Sequence, residues 1–104
     1  MSSSADLRRV HASGRRARRN GVVVTCAPRP DGGPARVGLS VRRTAGGAVQ
    51  RNRIKRRLRA AASSCELPPG ADFVISGDAS VATAAFDRLV SAVAEAAAEV
   101  GGAG

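Results

Sequence analysis

The nine residues from Arg51 to Arg59 constrain this chain more than any other stretch, because six of them are cations and the two apolar ones, Ile54 and Leu58, stand four apart. Continued by Ala61 and Ala62, that spacing puts one apolar stripe on a helix predicted over Ala48 to Ser64, after a break at Gly46 and Gly47. Such a helix can dock along one narrow face only. Around the stripe, Arg51, Lys55 and Arg59 form a ridge at i, i+4 and i+8, Asn52 and Arg56 a second ridge, and Arg53 and Arg57 the other flank. No Asp or Glu interleaves, so like charges at helical spacing repel and destabilise the isolated helix. A segment built at that cost points to an external polyanion rather than to a solvated face.

The rest of the charge follows the same division. Of 17 basic residues 16 lie in positions 1 to 59 with only two acids, giving +14, while positions 60 to 104 hold Arg88 and six acids, giving −5; the sum is the formal +9. No acid occurs between Asp31 and Glu66. A GC-rich genome accounts for Arg over the single Lys but not for acids avoiding one half. A strongly basic half binds phosphate backbones through counterion release.

At 104 residues the chain is the size of one domain with a modest core, read as a single unit over 1–104 whose Gly101 to Gly104 tail is expected to be loose. With no Trp or Tyr and only Phe73 and Phe86, that core must be Val, Leu, Ile and Ala. A short first helix is expected from Ser3 or Ser4 through Leu7, Val10 and His11 to about Ser13, stopped by Gly14. Arg15 to Asn20 reads as a polar cationic connection. Val22 to Cys26 reads as a buried strand ended by Pro28, Pro28 to Pro34 as a linker of hairpin length, and Arg36 to Val41 as a second strand. After the basic helix, Pro68 to Gly70 punctuate, Asp72 to Ser76 forms a third strand, and a packing helix runs from Val81 to Val100 with Phe86, Leu89, Val90, Val93 and Ala97 on one face.

Catalytic chemistry is hard to find in this inventory. One His and scattered acids make neither a nuclease site nor a metal-ligand cluster, so no catalytic and no metal residue is assigned. Cys26 and Cys65 are 39 apart without a CxxC pair, and are expected to be buried small apolar residues. Met1 to Asp6 carries no apolar run and no window approaches a membrane span, which leads to the expectation of a cytoplasmic protein without a membrane partner.

Three motifs occur in order: Gly-Leu-Ser-Val at Gly38 to Val41, Gly-Gly-Ala-Val at Gly46 to Val49, and Arg-Asn-Arg-Ile-Lys-Arg-Arg-Leu-Arg at Arg51 to Arg59. Together they closely resemble the signature of the bacterial ribonuclease P protein subunit, with weaker likeness over Asp6 to Gly14 and Leu67 to Ser76, about residues 5 to 95 in all. The resemblance implies an α+β fold of the ribosomal protein S5 domain 2-like class, a small α/β sandwich in order α-β-β-β-α-β-α with a left-handed βαβ crossover. Pattern reasoning alone would have chosen the right-handed form. It also implies more strand between Val22 and Val41 than the residues themselves suggest.

The implied activity is removal of the 5′ leader from precursor tRNA by a catalytic RNA and its Mg2+, the protein assisting as a monomer within the ribonucleoprotein and binding no cofactor of its own. The implied RNA-docking residues are Arg42, Arg43, Arg51, Asn52, Arg53, Lys55, Arg56 and Arg59. A cleft between the first helix and the sheet is implied to hold the leader, with Leu7, His11 and Thr25 where the family usually places aromatics suited to stacking. Arg43-Thr44 and Gly47 likewise replace a basic pair and Asn usual in the family. The alternative is a structural RNA-binding protein of ribosomal type, and the ordered trio of motifs discriminates between them. A DNA-binding protein is disfavoured by cations round most of the helix circumference.

Overall fold

A computed structural model describes residues 10, 12, 14–29 and 32–101. One mixed sheet is built from β1 (Arg15–Arg19), β2 (Val22–Pro28), β3 (Arg36–Ser40) and β4 (Ala71–Gly77), in the order β1-β2-β4-β3. β1 and β4 each lie antiparallel to β2, and β3 runs parallel to β4. Two helices, α1 (Ala48–Ser63) and α2 (Phe86–Gly101), cover one face. The chain is thus the small α+β sandwich expected, with α1 as the crossover between the parallel neighbours β3 and β4. Of the expected first helix only Val10 and Ala12 are described, and both are helical; Leu7 and His11 lie outside the described residues.

The extra strand is not between Val22 and Val41 but before Val22. Arg15 to Arg19 is not a connection: it pairs residue for residue with β2, from Arg15 opposite Cys26 to Arg19 opposite Val22. Asn20 (φ 49°) and Gly21 (φ 81°) make the two-residue turn between them, the left-handed pair that a tight hairpin requires and that Asn-Gly suits best. β1 reads poorly as a strand because four of its five residues are Arg, a composition that suits an exposed sheet edge and discourages edge-to-edge association.

The linker after Pro28 is not a hairpin either, because β4 inserts between β2 and β3. Arg29 N–H donates to the Gly70 carbonyl at 2.9 Å and Gly70 N–H to the Gly33 carbonyl at 2.7 Å, so the linker is pinned across the start of β4. Arg36 closes the same end with two bonds to the fully buried Asp72 carboxylate, Nε–Oδ1 at 2.7 Å and Nη2–Oδ2 at 2.8 Å.

Strand alternation assigns the two faces. Ala17, Val22, Val24, Cys26, Phe73 and Ile75 are buried on the helix side, where they meet Ile54, Leu58 and Ala61 of α1 and Leu89, Val93 and Val100 of α2. On the opposite face Ala27 and Val74 pack with Val10. The expected core chemistry holds, with Phe73 the only aromatic in it.

The packing helix starts later than its apolar pattern suggests. Asp78 Oδ1 accepts the Ser80 N–H at 2.9 Å and caps a short 3-10 turn over Ala79–Ala82, which buries Val81 and Ala82. The chain then leaves helical geometry at Thr83, and α2 begins at Phe86. Phe86, expected on the packing face, is 44% exposed, since the buried face of α2 begins only at Leu89.

Candidate nucleic-acid interface

α1 is positioned by Ile54, Leu58, Ala61 and Ala62, all buried, which is the stripe expected from the sequence. Everything else on the helix is left at the surface: Asn52, Arg53, Arg56 and Arg59 are exposed, and Arg51, Lys55 and Arg57 half-buried. Its N-terminus has neither a side-chain cap nor an acidic residue in its first turn. Gln50 Nε2 instead donates to the Ala45 carbonyl at 2.7 Å, folding the first turn back on the preceding 3-10 turn, Arg43–Ala45. Gly46 adopts φ 135°, and a Cβ there would sit 2.9 Å from Gln50 Nε2, so glycine is needed for this close entry.

Electrostatically α1 is unbalanced. Among the described residues the direct cation–carboxylate contacts of Arg19 with Glu95 (3.8 Å) and Glu99 (2.6 Å) and of Arg36 with Asp72 involve none of its cations. Arg57 turns inward and donates to the Ala84 carbonyl. Arg53, Lys55, Arg56 and Arg59 line two shallow grooves, and Arg51 is half-buried outside both. One groove, of about 440 Å³, is lined by Val49, Asn52, Lys55, Arg56 and Arg59, with Val49 78% exposed at the N-terminal end of the basic face. The other lies between α1 and the start of α2.

Arg42 and Arg43 are both exposed, but Arg42 does not join the helix face. It lines a cleft of about 590 Å³ on the open face of the sheet, with Arg16 and Arg18 from β1, Val23 and Thr25 from β2, Ser40 from β3, and Ser76 and Asp78. Thr25 is fully buried at its floor, where a Cβ on Gly14 would come within 2.7 Å of the Thr25 methyl. Arg16 and Arg18 were not among the expected site residues. The signal that could have found them is Asn20-Gly21: recognising that turn makes Arg15 to Arg19 a strand, and alternation then sends Arg16 and Arg18 to the open face.

The described residues do not suit a resident metal, since no three His, Cys, Asp or Glu side chains gather among them. Burial pushes the thiols of Cys26 and Cys65 up from the ordinary value, which keeps both neutral. No helix among the described residues is long and apolar enough to cross a membrane.

The sequence profile of the family described as Ribonuclease P matches residues 1–101. The chain is 41% identical over 91 residues to the ribonuclease P protein component of Kocuria rhizophila, covering 86% of this chain and 80% of that one. It is 34% identical over 98 residues to the component from Clavibacter michiganensis, covering 92% and 87%. In fold it is similar to the Staphylococcus aureus RNase P protein, with a TM-score of 0.76 at 21% identity over 92% of this chain and 89% of that one. With the whole-length profile match and these relatives, the chain belongs to the ribonuclease P protein component family.

Proposed function

We propose that this chain is the protein subunit of a ribonucleoprotein endonuclease, binding a catalytic RNA through α1 and assisting that RNA in removing the 5′ leader of precursor tRNA. The observation that carries this reading is the helix with six cations in nine residues and no carboxylate in ion-pair contact with any of them among the described residues. Arg51, Arg53, Lys55, Arg56 and Arg59 meet phosphates, and Asn52 offers an amide for a base edge or 2′-hydroxyl. Hydrolysis and the Mg2+ it uses belong to the RNA in this reading, the protein supplying no catalytic residue.

The leader takes the cleft on the open sheet face. Its described lining contains no aromatic, while Arg16, Arg18 and Arg42 converge there, so the chain grips the leader backbone by charge more than by stacking bases. That grip is strongly salt-dependent and tolerant of leader sequence.

The test is cleavage of a precursor tRNA by the source organism's catalytic RNA at low magnesium, with and without the protein. The expected outcome is stimulation with a correct 5′ end, and no cleavage by the protein alone. Tight RNA binding without stimulation would favour the structural RNA-binding reading, and cleavage without added RNA would refute the division of labour. Replacing Arg16 and Arg18 together with Ala should weaken binding of leader-bearing precursor about tenfold and leave mature tRNA nearly unaffected.

A further inference from the structure

Phe86 is the one aromatic among the described residues that faces solvent: Phe73 is fully buried, and the chain has no others. Its place is held firmly. Arg57 ties the connection ahead of α2 to α1 through the Ala84 carbonyl, and the Arg88 and Leu89 N–H groups both donate to the Ala85 carbonyl at 3.1 Å. Phe86 therefore stands beside α1 and lines, with Arg53, Arg56, Arg57, Ala60 and Ala82, a groove of about 420 Å³.

A single exposed hydrophobe is ordinary and by itself signals nothing. The neighbours make the difference here. Arg53 and Arg56 are exposed on the groove wall, and neither they nor the adjacent Asp87 form an ion pair among the described residues. Ala60 and Ala82 contribute only methyl groups to the lining beside Phe86. An aromatic face flanked by unpaired guanidinium groups is the composition that grips single-stranded nucleic acid, the base stacking on the ring and the adjoining phosphates taking the cations. This groove shares no residue with the cleft on the open face of the sheet.

We propose that the groove between α1 and the first turn of α2 holds one unpaired nucleotide of RNA, its base against Phe86 and its phosphates on Arg53 and Arg56. The proposal rests on the RNA-binding reading of α1 and adds a stacking position to it. Arg57 is a positioning residue, fixing the connection that carries Phe86.

Because the chain has no Trp, Phe86→Trp installs a single fluorophore at the site. Saturating that variant with the ribonuclease P RNA of the same organism should quench its emission. Phe86→Leu, which keeps an apolar residue at the helix start, should weaken binding about fivefold or more while leaving the slope of log affinity against log salt unchanged, since stacking releases no counterions. Either an unquenched tryptophan at saturation or a Leu variant within twofold of the parent overturns the stacking position. If, in that case, Ala at Arg51, Arg53 and Arg56 still lowers affinity and flattens the slope, the RNA-binding reading stands and only the groove is lost. If that triple variant too keeps parental affinity and slope, the RNA-binding reading itself falls. Circular dichroism and thermal midpoints matching the parent exclude misfolding as the cause of any loss.

Discussion

The two helices have 16 residues each and pack on the same face of the same sheet, yet they divide the work of the molecule between them. α2 buries Leu89, Ala92, Val93, Ala96, Ala97 and Val100, a broad apolar face that holds the sheet together. α1 buries four apolar residues and, Arg57 apart, leaves its cations at the surface without carboxylate partners among the described residues. A narrow stripe is enough to anchor a helix when a neighbouring helix supplies the bulk of the core. The surface this frees carries charge that the isolated protein has no use for and that the RNA partner proposed above would neutralise.

The largest test of this division is Leu89→Ala, which opens a cavity under α2 and should lower stability by about 3 kcal/mol, read by denaturant unfolding. RNA affinity of the folded fraction should not change. The converse variant, Arg51, Arg53 and Arg56 all to Ala, should leave the thermal midpoint equal or higher while cutting RNA affinity about 100-fold at physiological salt. The same titrations should show a salt slope flatter by about two to three. If Leu89→Ala altered the slope, or the triple variant unfolded the protein, scaffold and interface would not be separable as described.

Arg36 sharpens the comparison, because it belongs to the basic half by sequence and to the scaffold by structure. Removing it leaves the buried Asp72 carboxylate without its guanidinium, and Arg36→Ala should cost about 2 kcal/mol, discounted for the partial exposure of the Arg36 side chain. Its effect on the salt slope should be negligible, as its charge is already matched.

The smallest effect expected is from pH. Cys26 and Cys65 have native pKa values raised by burial, so the neutral thiol is favoured in the folded state. Their contribution to stability is fully present below the ordinary thiol range and is lost as pH rises through the raised native values. Denaturant midpoints should hold level up to about pH 8.5 and decline above it. A midpoint that rose through that range would contradict the burial of Cys26 and the partial burial of Cys65, which is half-buried where full burial was expected.

Much of this was legible from local pattern. α1 was expected over Ala48 to Ser64 and occupies Ala48–Ser63, because its apolar stripe and glycine break are signals a few residues wide. β2, β3 and β4 were likewise found within one or two residues of their expected ends. β1 was missed, since Arg-rich strands contradict propensity and only pairing with β2 makes one, although Asn20-Gly21 announced the turn. The late start of α2 was missed because Val81 and Phe86 fit one apolar series, while the Asp78 cap and the bend at Thr83 that interrupt it depend on where the chain meets α1 and β4.

The amino-acid sequence by itself determined the segregation of charge, the helix that concentrates it, the absence of aromatics from most of the core, and the ordered motifs that mark the family. These are properties of residue type and short-range spacing, which do not depend on what lies across the fold. Only the tertiary structure decided that β4 would separate β2 from β3, that Arg42 would leave the α1 face to meet Arg16 and Arg18, and that Phe86 would stand in the open beside Arg53 and Arg56. Each brings together residues far apart along the chain. Such juxtapositions follow from sheet order and helix docking, and no local propensity encodes them.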